Sequence, residues 1–415
     1  LATFQLSRFS SFRALSHRDF AYLWAGMLVS NIGTWMESVA LGVYVTQVTG
    51  KAAWTGGVAA LTHLPSLVLA PLGGALADRF DRRSFMAVCI CVQALLAAML
   101  TVLAATGNLT VPWVAGISLL NGAFSTLAIP CATALTVAVV PQEDLHNALS
   151  LDSAQFNLGR IIGPVLAALV LTKLGIAGAL FINTLSFLAV LLALARMHGA
   201  VRTTPPKVEA LWAGIVRGVK LAWTDPGIAL ALGTVGFVGL LISPFVGLIP
   251  VFALKVLGGD ATTTSLLLTA QGSGAVLAAF GTGAIVTRVG RRALLEVSVM
   301  LVGLCSAIFW LSPTLPVAMV ALFVLGAVYL VVFTGLKTVC QARTPPELQA
   351  RVSSLFLLLV NVGYMLGVWG QGMLSDRLGV RPITVGAALL FFGIVAVTRA
   401  LGPRGLTTLG DVKPG

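Results

Sequence analysis

A few charged and polar residues sit inside otherwise apolar runs of this chain, and they are where chemistry could be done. A charge within a bilayer costs at least about 2.5 kcal/mol unless it is paired or hydrated, so each one needs a reason. Glu37 lies as far before the turn near Gly50 as His63 lies after it. In an antiparallel helix hairpin both would sit on the order of 20 Å from that turn. At matched depth Glu37 and His63 could share a proton, giving a proton-coupling or substrate-cation site. Equally, His63 is a helix-packing polar residue and Glu37 faces an outer vestibule. Arg160 falls mid-run within Asp152-x2-Gln155-x-Asn157-x-Gly159-Arg160. Helical spacing puts Gln155, Gly159 and Arg160 on one broad face. A guanidinium there could bind an anionic substrate group or pair with Glu37, or it could be a charge partner that holds two helices together. Further polar or aromatic candidates are Asn31, Trp35, Asn121, Gln271, Tyr329, Asn361, Tyr364 and Gln371. Each taken alone is more often a hydrogen bond between helices than a ligand contact.

Other chemistries have no visible seat. There is no Gly-rich phosphate loop ending in Gly-Lys-Ser/Thr, no His/Cys/carboxylate set at metal spacing, and no nucleophile beside a base. Neither enzyme activity nor a cofactor nor a bound metal is expected.

Composition supplies the elements that must position these residues. Of 415 residues 58% are hydrophobic and 10% charged, with a mean hydropathy of +0.98. Globular proteins carry roughly 25% charge, so a soluble domain is excluded and a polytopic helical membrane protein remains. The net charge of +12 reports basic cytoplasmic loops rather than a nucleic-acid partner. Cys89, Cys91, Cys131, Cys305 and Cys340 all lie in or beside apolar runs, so no disulfide framework is expected. No cleavable signal peptide is expected. Phe4–Phe20, with Arg8, Arg13 and Arg18, reads as an amphipathic lead-in at the membrane surface.

Apolar runs of spanning length fall near 20–46, 54–77, 84–105, 112–138, 147–172 and 176–196, then near 228–255, 262–287, 292–312, 315–340, 350–374 and 382–402. The intervening polar stretch holds Arg202, Lys207, Glu209, Arg217 and Lys220 and reads as a cytoplasmic linker, with a surface helix around Leu211–Trp223. The expected domains are therefore residues 1–196, a linker 197–227, and residues 228–415. With the N-terminus inside, the outer loops keep only Lys51, Lys173, Lys255, Arg377 and Arg381, so both termini are expected to be cytoplasmic. One fixed offset lays Pro141, Glu143, Ser150, Gly159, Gly163 and Gly175 on Pro345, Glu347, Ser354, Gly363, Gly367 and Gly379. A slightly longer offset lays Gly74, Arg79, Arg82 and Arg83 on Gly283, Arg288, Arg291 and Arg292. Two parallel six-helix halves follow.

The turn after the second run reads Gly73-Gly74-Ala75-Leu76-Ala77-Asp78-Arg79-Phe80-Asp81-Arg82-Arg83. Its small residues let another helix approach, Asp78 can accept from the free N–H groups of a helix N-terminus, and the arginines face anionic lipid. The stretch resembles the loop signature of the major facilitator superfamily, with Asp81 where the family usually has Gly. Gly159-x3-Gly163-Pro164 followed by Ala167-Ala168 resembles the superfamily's helix 5 antiporter motif, with two alanines for glycines and Asp152 at the upstream glycine position. The helix 4 arginine common among drug exporters is replaced by Ser118, with Arg160 a conceivable stand-in.

The resemblance implies the major facilitator fold: an all-α membrane protein of twelve transmembrane helices in two pseudo-symmetric bundles. Val45–Gly50 and Asn157–Pro164 are similar to bacterial exporters of the enterobactin-exporter and multidrug-efflux type. That implies a secondary active transporter, a monomer in the bacterial inner membrane, exporting a small amphipathic drug or siderophore-like molecule against protons. Its partners would be substrate, protons and membrane lipids. Two alternatives stay open: a lipid or lysophospholipid flippase of the same fold, and a ferroportin-like metal exporter drawing on His63 and Glu37.

Overall fold

The computed structural model describes residues 10–69, 80–197, 219–221 and 224–401. Gly74, Asp78 and Arg79, and nearly all of the expected linker helix Leu211–Trp223, lie outside the described residues. The regular structure described is helical throughout. A 3-10 turn Ser10–Ser16 leads into α1 (Arg18–Thr49). There follow α2 (Ala52–His63), α3 (Arg82–Ala105), α4 (Val111–Val139) and α5 (Leu145–Arg196). Next come α6 (Pro226–Phe237) and α7 (Phe245–Val251), each running into a π-helical segment, Val238–Ile242 and Phe252–Val256. The chain continues through α8 (Ala261–Val289), α9 (Arg291–Leu311), α10 (Leu315–Arg343), α11 (Gln349–Leu378) and α12 (Val380–Leu401).

Among the described residues ten segments are long and apolar enough to cross a bilayer. Large apolar side chains point outward from them, Phe280 at 82% and Leu95 at 69% exposure. In water such a surface would aggregate; in lipid it is the solvated face. The chain is an all-α membrane protein. α1 falls outside those ten because Ser30, Asn31, Glu37 and Ser38 interrupt it, yet its 32 residues reach about 48 Å at helical rise. α5 counts once although it turns at Gly175, whose φ of 66° and ψ of −170° suit glycine alone and break the helix into two arms.

By packing the chain divides into two compact units, Leu1–Tyr44 with Leu64–Lys207, and Val45–His63 with Val208–Gly415. Thus α2 and the last turn of α1 belong to the second unit, although the rest of α1 and the chain from Leu64 belong to the first. In the first unit Leu23 of α1, Met86 and Ile90 of α3, Cys131 and Leu135 of α4, and Phe187 and Val190 of α5 share one core. A smaller cluster of Ala14, Phe20, Val140, Ala148 and Leu151 docks the lead-in turn. Beside it the buried carboxylate of Asp144 accepts from His17 at 2.8 Å and pairs with Arg13 at 3.1 Å. In the second unit Phe252, Phe309 and Trp310 form an aromatic cluster with ring centroids 4.7–5.2 Å apart.

Helix starts follow local sequence. Asp81, the departure from the family signature, caps α3 by accepting from Ser84 N at 2.8 Å and Ser84 Oγ at 2.7 Å. Asp225 caps α6, and Asp260 with Thr263 forms a capping box on α8. In the first turns of α9 Arg292 Nε lies 2.9 Å from Glu296 Oε1.

Candidate functional site

In the first unit α1 presents two polar faces to the two arms of α5. Glu37 is 6% exposed and Asn183 fully buried, and Asn183 Nδ2 donates to Glu37 Oε2. The Ser186 hydroxyl lies 2.7 Å from Asn183 O and 3.1 Å from Asn183 Oδ1. A hydroxyl on Oδ1 turns the amide NH2 toward the carboxylate, so Asn183 is set as donor. Gly33, one turn before Glu37, makes room, since a Cβ there would meet Ser186 and Asn183. The carboxylate is thus held by a neutral amide that the Ser186 hydroxyl orients.

The other face of α1 meets the first arm of α5. Asn31 Nδ2 donates to Gln155 Oε1 at 3.1 Å. A Cβ on Gly159 would lie 2.9 Å from Asn31 Cβ, and one on Gly163 would lie 2.5 Å from Trp35 Cβ. These glycines let the two helices touch backbone to backbone. Arg160 places its guanidinium 5.7 Å from the Trp35 ring centre, and Phe156 meets the same ring edge-on at 6.0 Å. The sequence offered Arg160 an anionic substrate group or Glu37; its contact with the Trp35 ring was not foreseen. Asp152, at the missing upstream glycine of the antiporter motif, accepts from Thr136 of α4 at 2.9 Å. Asn121 Oδ1 is buried without a hydrogen-bond partner among the described residues.

In the second unit an equivalent glycine stripe on α11 receives α6 and the π segment that follows it. A Cβ on Gly363 would lie 2.7 Å from Gly236 O, and one on Gly367 would collide with Leu240 O. These two are the repeat partners of Gly159 and Gly163, so the sequence repeat is realised as repeated packing. One turn on, Gln371 Nε2 donates to Leu240 O at 3.0 Å and Leu241 O at 3.2 Å. Both carbonyls belong to the π segment, where Pro244 cannot supply the N–H that Leu240 O would otherwise receive. Tyr329 OH lies 2.9 Å from Ser243 Oγ and its ring meets Phe245 at 5.5 Å. His63 stands edge-on to Tyr364 with ring centres 5.1 Å apart. Gln271 is 1% exposed and its Nε2 has no hydrogen-bond partner among the described residues. Asn361 lies two residues before Gly363 on α11 and is half-buried.

The structure therefore joins Asn31 with Gln155, Arg160 with Trp35, and His63 with Tyr364. Glu37 goes to Asn183, a partner the sequence reading missed. The signal was available: Asn183 is the one amide in the sixth apolar run, and Ser186 follows one turn later. Of the loop-signature arginines, expected to face anionic lipid, Arg83 instead donates to Met197 O at 2.7 Å and Ala195 O at 3.1 Å, capping the end of α5.

Comparison with known proteins defines the class. The chain belongs to the family described as transmembrane secretion effector, a group of major facilitator transporters, whose model matches residues 9–405. It is 27% identical over 384 residues to the multidrug efflux pump Tap of Mycolicibacterium fortuitum, covering 89% of this chain and 93% of that one. It is 24% identical to macrolide efflux protein A of Streptococcus pyogenes, over 87% and 90% of the two chains. Its fold is similar to that of a bacterial homolog of the human lysosomal transporter Spinster, with a TM-score of 0.76, 14% identity, and coverage of 96% and 99%. The protein is thus a membrane transporter and not an enzyme.

Proposed function

We propose that this chain exports small amphipathic molecules, of drug or siderophore-like size, from the bacterial cytoplasm in exchange for protons. Twelve crossings then follow, counting α1 and both arms of α5, in two six-helix bundles with both termini cytoplasmic, as a monomer in the inner membrane. The observation that carries the coupling is Glu37, a carboxylate buried on α1 that accepts a hydrogen bond from the neutral amide of Asn183. Such a group changes charge by one proton without disturbing an ion pair, which is what a carrier needs. The efflux pumps at 24–27% identity support the direction of transport.

Substrate contacts fall to residues that α1, α5, α10 and α11 present: Asn31, Gln155 and Arg160 in one unit, Tyr329, Asn361 and Tyr364 in the other, with Asn121 and Gln271 as buried amides available to a polar group. Gly159, Gly163 and Pro164 keep α5 close to α1, so motion of one is felt by the other. Asp78, with Arg79, Arg82, Arg83 and Gly74, latches the cytoplasmic side as the halves rock. Protonation of Glu37 shifts the balance between states only through unequal proton affinity in the two. His63 lies against Tyr364 and would tune the substrate end rather than carry the proton. The test is efflux from proteoliposomes under an imposed pH gradient. Transport that follows the gradient in the parent and not in Glu37→Gln supports the proposal; equal, gradient-driven efflux by both refutes Glu37 as carrier.

A further inference from the structure

The end of α11 holds a further copy of the loop signature. Gly372-Met373-Leu374-Ser375-Asp376-Arg377-Leu378-Gly379-Val380-Arg381 repeats Gly74, Leu76, Asp78, Arg79 and Arg83 at the same spacing, and Gly379 restores the glycine that Asp81 replaces. The structure shows what the acidic residue of this copy does. Asp376 Oδ1 accepts from Ala52 N at 2.7 Å and Oδ2 accepts from Ala53 N at 3.0 Å, so both oxygens close the free N-terminus of α2. The last arginines of the first copy and of this one also act alike. Arg381 donates to Ser312 O at 2.8 Å at the C-terminus of α9, as Arg83 does at the end of α5.

The other side of the same turn is held too. Lys255, at the end of the second π segment, donates its Nζ to Gly50 O, just past the C-terminus of α1. A cation therefore closes the carbonyl end of α1 while an anion closes the amide end of α2, each sign matched to its helix dipole. Beneath the clamp the backbones touch. A Cβ on Gly372 would lie 2.7 Å from Ala52 O, and one on Gly56 would collide with Val368 O. Ala52 and Thr55 are buried there.

We propose that Asp376 and Lys255 form a charge clamp that holds the α1–α2 turn against α11 and must release it in each transport cycle. With the orientation proposed above, on which this inference rests, the clamp works on the outer face as counterpart to Asp78 on the inner face. The chain passes from the first unit to the second after Tyr44, shortly before this turn. Asparagine cannot replace Asp376, because its NH2 would face one of the two N–H donors.

The test is the labelling rate of Ala52→Cys by a membrane-impermeant maleimide applied to intact cells, with the parent chain and its native cysteines as blank. Adding Asp376→Asn is expected to raise the rate about fivefold, the factor that the loss of one helix cap implies. Asp376→Glu is expected to rescue in part, and Arg377→Gln to leave the rate alone. Lys255→Met releases the other end and carries the test should Asp376→Asn fail to reach the membrane. Unchanged labelling in both Asp376→Asn and Lys255→Met overturns the clamp. Faster labelling seen only in inverted vesicles keeps the clamp and overturns the orientation. Faster labelling without proton-driven efflux keeps the clamp and overturns the transport proposal.

Discussion

Replacing Gln371 by leucine tests how the second unit tolerates its π segment. The side-chain amide closes two carbonyls, Leu240 O at 3.0 Å and Leu241 O at 3.2 Å. A buried acceptor left open costs about 1–3 kcal/mol, and Leu240 O is the more exposed to that cost because Pro244 has no N–H to return to it. Leucine fills similar volume, so the loss is polar rather than steric. We expect local stability around Val238–Ile242 to fall by about 2 kcal/mol, which accelerates exchange of its amides about 30-fold. Hydrogen exchange read by mass spectrometry on the purified protein measures this directly. The mechanism makes a second demand. Pro244→Ala supplies the missing N–H, so Gln371→Leu made in that background should cost about 1 kcal/mol less. Equal exchange in parent and Gln371→Leu, or a loss unaltered by Pro244→Ala, would refute the reasoning.

Two further expectations follow from geometry. Gly163→Ala sets a Cβ 2.5 Å from Trp35 Cβ and 2.9 Å from Ile32 O. No rotamer change moves either atom, so we expect about 1–3 kcal/mol of destabilisation and a thermal midpoint lowered by several degrees; an unshifted midpoint would contradict close α1–α5 packing. Asp225 lies outside the spans; burial alone would raise its pKa, but the Ile228 and Gly227 amides and Arg343 at 3.0 Å hold it below the usual carboxylate value. A carboxyl depressed in the folded state adds stability above the unfolded value near 3.9, and that stability fades as pH falls toward the folded value. Asp225→Asn should therefore lose about 1 kcal/mol at neutral pH and flatten the acid limb of a stability profile below about pH 4. An acid limb as steep as the parent's would assign it to other groups.

The sequence made the class plain because bilayer physics leaves few choices: uninterrupted apolar runs of spanning length must be helices. Its repeat anticipated the packing of Gly159 and Gly163 and of Gly363 and Gly367, since small residues at helical spacing have one use in lipid. Partners across helices were less legible. Depth along a hairpin suggested Glu37 beside His63, but depth says nothing of azimuth, and the face of α1 that bears Glu37 meets Asn183. The breaks in the span from Pro226 to Val256 were hidden as well, because hydropathy does not distinguish α from π winding. Pro244 and Pro250 marked the place. Asp376 was missed for a different reason. The internal repeat relates like positions of the two halves, whereas this copy joins the end of the second helix to the end of the eleventh, which no parallel-repeat offset relates.

The central claim is that Glu37 exchanges the proton that drives export. Purified protein in weakly buffered detergent solution, mixed with a panel of macrolides and other amphipathic drugs, reports proton release through a pH-sensitive dye. Release evoked by at least one compound in the parent and absent in Glu37→Gln, with binding of that compound retained, is the predicted result. Release of the same size from Glu37→Gln would contradict the account and move the coupling group elsewhere.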